Sequence, residues 1–177
     1  GAVAYRVHTI PDDEGQLQAV IDDQLVRADL IIISGERNDD SFDLITRTLA
    51  AMGEITTVDI AIESSGRHNY GVIGPDKTPV VTLPGDPVAA YISFELFIRP
   101  MIRTMLGAAT IHRPSIKAKL EKAITSSGGY RSYIRAVLSE DGKSVLPLLS
   151  QGSSAQDEQA TLSDANAFIA IPEGDVN

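Results

Sequence analysis

The chain has 177 residues, 43% of them apolar and 22% charged, with a formal net charge of −9; that is enough for one or two folded domains and too apolar for disorder along the whole chain. It contains no cysteine, which excludes disulfides, thiol catalysis and thiolate metal sites. The acidic balance repels a phosphate backbone, no apolar run is long enough to span a bilayer, and nothing at the N-terminus resembles a signal peptide, so the expectation is a cytoplasmic protein without nucleic acid or membrane insertion.

Residues 3–10, "VAYRVHTI", read as a strand. Residues 11–28 read as a helix: Pro11 stands at its start, acidic residues fill its first turn, and Leu17, Val20, Ile21 and Leu25 recur at helical spacing. "DLIIIS" (29–34) is a continuous apolar strand of the kind covered on both faces, and 35–41 a polar loop. A helix over 42–53 closes on Gly53 as its C-terminal cap. An alternating strand covers 56–64, a loop 65–71 and a strand 79–83. The helix over 86–107 has Asp86 as N-cap and Pro87 at its first position, and Pro100 should kink it. His8, His68 and His112 share no metal-ligand spacing and read as surface or turn histidines.

Strands alternating with helices imply a three-layer α/β/α domain with a mostly parallel sheet over residues 1–110. Ligands of such sheets sit at the carboxyl ends of the strands, which the loops 35–41, 64–71 and 84–87 leave, with the corner at Pro11 and Asp12 joining from the first strand. After Gly107 the pattern changes. Residues 115–125, 131–150 and 167–172 read as short strands, Asp141 and Gly142 as a hairpin turn, and 150–166 as a polar connector ending in a short helix. Residues 111–177 are therefore expected to form a small all-β domain.

The segments "DLIIISG", a loop ending in "FD", "LAAMGEI" and "LPGDPVAAYISFELFIRP", in that order, resemble the MoeA family and its eukaryotic relative, the gephyrin E domain. "GGYRSYIRAVL", "PLLSQGSSAQ" and "LSDANAFIAIPEG" resemble the C-terminal β domain of the same family, so the resemblance covers essentially the whole chain. It implies a molybdopterin molybdenumtransferase, which inserts molybdate into molybdopterin in the last step of molybdenum-cofactor synthesis, and a homodimeric full-length protein. Family members are much longer, so the resemblance also implies a C-terminal fragment truncated at both ends.

The family's LPGNP corner stands here as "LPGDP". Pro84 and Pro87 match its prolines, Gly85 allows close approach of a ligand, and the helix beyond offers N–H groups to an anion. Asp86 replaces an asparagine; by its chemistry alone the corner reads as a plain capped helix start, and it is the resemblance that makes it a ligand corner. Asp12 and Asp43 match family active-site aspartates, which would orient the substrates or hold Mg; as bare residues they also read as a helix N-terminal charge and a helix cap. The family's S-G-G-x-S-x-G-D-Y-D loop aligns with "SGERNDDSFD", which keeps Gly35 and places Glu36, Asn38 and Asp40 where the family has glycine, serine and glycine. Its K-P-G-K-P motif aligns with "ESSGR" (63–67), where only Arg67 brings a positive charge. Two like charges about 6 Å apart at an effective dielectric near 20 repel by roughly 3 kcal/mol, so the loops predict weak binding of molybdopterin or molybdate. The resemblance carries a second implication, a gephyrin-like scaffold that binds a peptide tail in a groove between the two domains, where Tyr133 and Pro172 match groove positions.

Overall fold

The computed structural model describes residues 1–7, 11–36, 38–63, 65–125, 128–148 and 164–174. They divide into two compact units, Gly1–Ile60 with Arg67–Ile111, and Ala61–Gly66 with His112–Asn177.

In the first unit α1 (Glu14–Leu25) starts later than Pro11: the carboxylate of Asp13 caps it, accepting the N–H of Gln16 at 2.9 Å. β1 (Ile31–Glu36) leads through a short turn to α2 (Asp39–Met52). The polar loop expected over 35–41 is thus mostly strand end and helix, because Asn38 caps α2 by accepting the N–H of Ser41 at 2.9 Å. β2 (Gly53–Ile60), β3 (Gly66–Ile73) and β4 (Thr78–Pro84) follow, and the sheet order is β1-β4-β3-β2. β1 and β4 run parallel, from Ile31 beside Val80 to Glu36 beside Pro84, with a bulge between Ser34 and Glu36. β3 runs antiparallel to β4, with Tyr70 opposite Val81.

The domain is α/β as expected, but its described sheet is mixed rather than mostly parallel. Residues 65–71, read as a loop, are largely β3, and a strand that follows β2 through so short a turn can only return beside it in the opposite sense. The strand expected over 3–10 is not formed in its described part, 3–7; positions 8–10 lie outside the described residues. Val3 and Tyr5 are 75% and 72% exposed and belong to no ladder. Apolar alternation makes a segment able to pair, but a strand exists only beside an edge.

Neighbouring residues of β4 face opposite ways. Val80 joins Leu17, Ile21, Ile31, Ile33, Ile45, Leu49 and Ile73, a core roofed by α1 and α2. Val81 and Leu83 join Ile98 on the other face, with Ala90, Phe94, Met101 and Ile102 packed against them. That second layer is α3 (Pro87–Ser93), a π-helical turn (Phe94–Ile98) and α4 (Arg99–Met105), running as one helix. Pro100 has no N–H to give to the preceding turn, and the N–H of Arg99 reaches back to the carbonyl of Phe94, five residues away. The expected irregularity at Pro100 is therefore a widened turn just before it.

Gly53 does follow α2 directly, but not as a left-handed cap. Its φ is 175°, ordinary extended backbone, and a Cβ there would lie 2.1 Å from the carbonyl oxygen of Val72. A Cβ on Gly71 would lie 2.0 Å from the carbonyl oxygen of Glu54. Both glycines are required by close approach of β2 to β3.

The second unit holds β5 (Lys119–Leu120), β6 (Ser132–Leu138), β7 (Ser144–Pro147) and β8 (Ala167–Ile171) in the order β5-β7-β6-β8. β6 and β7 form the hairpin that Asp141 and Gly142 signal: the φ of Gly142 is +71°, and the carboxylate of Asp141 accepts from the Ser139 hydroxyl at 2.7 Å. Ile62 bridges to Arg131, and the Ser132 hydroxyl donates to Glu63 at 2.6 Å. The strand read over 115–125 contracts to the two residues of β5. The connector read over 150–166 lies outside the described residues up to position 163. Among the described residues no helix is long and apolar enough to cross a membrane.

Candidate functional site

The parallel pairing of β1 and β4 decides what meets at the carboxyl end of the sheet. With Glu36 beside Pro84, the β1–α2 turn and the corner at 84–87 emerge side by side, although some fifty residues of sequence separate them. β3 starts at the same end, because its antiparallel run brings Asn69 to Thr82: the Asn69 N–H donates to Thr82 Oγ1 at 2.8 Å.

Among the described residues Arg67, at the start of β3, brings a cation to this end. Its guanidinium bonds the carboxylate of Asp39 in the first turn of α2 and lies 4.2 Å from the centre of the Phe42 ring. Phe42 is buried, so the ring is a fixed platform. Asp43, one turn after Asp39, is exposed and lies on the same side of α2. Asn38, expected to face an anion, turns its side-chain oxygen to both the N–H and the hydroxyl of Ser41, each at 2.9 Å. Asp86 does likewise at α3, accepting the N–H of Ala89 at 2.7 Å. One of the donors that the sequence reserves for a ligand is therefore taken at each helix start by the chain itself. Pro84 ends β4 half-buried; Gly85 and Pro87 are exposed. Gly35 and Glu36 end β1.

Behind this end lies a buried polar network that the sequence reading missed. Asn69 is fully buried; its amide donates to Thr46 Oγ1 at 2.8 Å, and its oxygen accepts from Thr57 Oγ1 at 2.6 Å. Thr46 in turn donates to the carbonyl of Phe42 at 2.8 Å. One side chain thereby ties β3 to α2 and β2, while its backbone is tied to β4. His68, read as a surface or turn residue, is 3% exposed; its Nδ1 is 3.0 Å from the carbonyl of Thr82, and its ring meets Phe97 edge to face. It is inside because polar partners on β4 accept it there, which a count of apolar residues does not register. His112 is exposed, and His8 lies outside the described residues.

Asp12 is exposed beside the cap of α1, and among the described residues no hydrogen bond or ion pair joins it to Asp43. Nor do any three His, Asp or Glu side chains gather there in a way that could hold a metal ion. In the second unit Tyr133 is half-buried opposite Ala170, and Pro172 follows β8 exposed.

A family model described as "Probable molybdopterin binding domain" matches residues 1–104, and one described as "MoeA C-terminal region (domain IV)" matches residues 117–177. The chain belongs to the MoeA family. It is 34% identical to a molybdopterin molybdenumtransferase 2 of Mycobacterium tuberculosis, over 98% of this chain and 43% of the relative. It is 30% identical to a molybdopterin molybdenumtransferase 1 of the same organism, over 98% of this chain and 42% of the relative. The crystal structure of a molybdopterin biosynthesis MoeA protein of Pyrococcus horikoshii superposes with a TM-score of 0.72 at 29% identity, covering 94% of this chain and 38% of that one. The chain spans about two fifths of the length of the curated MoeA relatives it matches. Within the MoeA fold of this chain, the Asn38 and Asp86 caps, the Arg67–Asp39 pair and the Pro84 corner all occupy one end of the sheet.

Proposed function

We propose that this chain carries the molybdopterin-binding part of a MoeA-type molybdopterin molybdenumtransferase, and that the whole protein inserts molybdate into molybdopterin. One observation carries the reading: the pairing of Glu36 with Pro84, which sets the β1–α2 turn beside the rigid corner at 84–87 with Arg67 at the same end. Both substrates are anions, and Arg67 is a group at this end suited to meet them. The prolines at 84 and 87 hold the corner with little freedom left to lose when a ligand docks. Asp43, exposed on α2, is suited to orient a pterin N–H or a molybdate-bound proton as an acceptor.

Of the carboxylates that the sequence sets against an anion, Asp39 is held by Arg67, and Glu63 accepts a hydrogen bond from Ser132.

The test is complementation of a strain lacking its own molybdenum-insertion enzyme with the full-length protein, alongside Asp43→Asn and Arg67→Gln variants. Rescue by the parent and its loss in Asp43→Asn is the expected result. Failure of the parent to rescue, with the protein present and folded, would overturn the reading. A pull-down that recovers a partner, lost in Tyr133→Ala and kept in Asp43→Asn, would replace it with the scaffold.

A further inference from the structure

Asp39 is 89% exposed at its side chain, Arg67 42%, and the two are held together at the edge of the candidate site. An exposed pair of this kind exchanges easily with solvent and with other anions. The guanidinium has a second support that does not depend on Asp39, the buried ring of Phe42 beneath it. Removing the carboxylate therefore leaves the cation seated rather than loose.

We infer that Asp39 is an internal counter-ion to Arg67, a carboxylate in the place of the incoming anion, and that it sets the threshold of anion affinity at this site. The inference rests on the proposed function only for the identity of the anion, a tetrahedral dianion or a phosphate group. A ligand must exchange with Asp39 for Arg67 and tolerate the freed carboxylate close by. A monoanion gains too little from Arg67 to do this; a dianion gains more. Asp39 thereby acts on specificity as well as on affinity.

The experiment is titration of the chain with sodium molybdate at low salt, for the parent, Asp39→Asn, Arg67→Gln, the double variant, and Asp40→Asn as a control. Asp40 neighbours Asp39 in the first turn of α2 and carries the same charge, so its removal measures the general effect of one acidic residue fewer. Asp39→Asn is expected to bind molybdate about fivefold more tightly than the parent, as releasing one exposed pair allows. Asp40→Asn should gain much less, and the double variant should bind no better than Arg67→Gln. Equal gains in Asp39→Asn and Asp40→Asn, or a gain that survives in the Arg67→Gln background, would show bulk charge at work and overturn the inference. Molybdate binding that Arg67→Gln leaves unchanged, or no molybdate binding in any of the five proteins, would overturn it as well. The proposed function is judged separately, by complementation, so either can fail while the other stands.

Discussion

Replacing Asn69 by alanine tests whether the polar network behind the site holds α2 in register with the sheet. The side chain is fully buried and makes two hydrogen bonds, to Thr46 and Thr57. Each is worth about 1 kcal/mol net, and the void left by a buried side chain adds about 1 kcal/mol more, so the expected loss is about 3 kcal/mol. The two bonds should not be equal. Thr57 is exposed at the residue level and water can replace Asn69 there, whereas Thr46 is partly buried and sits one turn beyond Phe42. Urea denaturation of Asn69→Ala, Thr46→Ala, Thr57→Ala and the two double variants yields the couplings directly. The Asn69–Thr46 coupling should reach about 1 kcal/mol and exceed the Asn69–Thr57 coupling. An Asn69→Ala loss under about 0.5 kcal/mol, or equal couplings at the two threonines, would refute the reasoning.

Gly71→Ala should cost on the order of 3 kcal/mol, since the new methyl group would meet the carbonyl oxygen of Glu54 and force β2 from β3; the urea midpoint measures it. Asp86→Ala should lose about 1 kcal/mol of stability through the missing cap of α3, while Asp86→Asn stays close to the parent, because both side chains cap equally well. The carboxyl of Asp141 is held below its ordinary value of 3.8, first by the Ser139 hydroxyl and then by the Lys143 N–H. Because its folded value is the lower one, it adds stability above the ordinary value, and that stability is lost as pH falls through the folded value. The stability gap between the parent and Asp141→Asn should therefore be widest near neutral pH and close in acid; a gap independent of pH would contradict this.

The parts of this fold that could be read from the chain are those where local chemistry and the final structure agree. Asp86 and Pro87 start a helix wherever they stand in this order, the apolar run ending in Ser34 has few options other than a covered strand, and Asp141 with Gly142 makes a hairpin turn. β3 was hidden for the opposite reason. Its first half is Gly66, Arg67, His68 and Asn69, a loop by composition, and two of those residues are buried because Thr82, Thr46 and Thr57 supply their hydrogen-bond partners. Gly53 caps α2 as expected, its N–H on the carbonyl of Leu49, but it is required to be glycine by a contact with a strand nineteen residues on, at Val72. At the candidate site the corner at 84–87 was legible as a motif. The link from Arg67 to Asp39 crosses 28 residues and follows only from the pairing of strands.

The π-helical turn before Pro100 has a consequence for length variation in this helix. Ala90, Phe94, Ile98 and Ile102 all pack on the same face of the sheet, at strict steps of four. In an uninterrupted α-helix each such step drifts by about 40° around the axis, enough over three steps to swing the last side chain off the sheet. The widened turn takes up one residue more than an α-helical turn and cancels much of that drift. Deleting one residue within 94–98 should therefore close the widened turn to an ordinary α-helical one and keep Met101 and Ile102 over Val81 and Leu83. Adding one more residue there would instead rotate both side chains off the sheet.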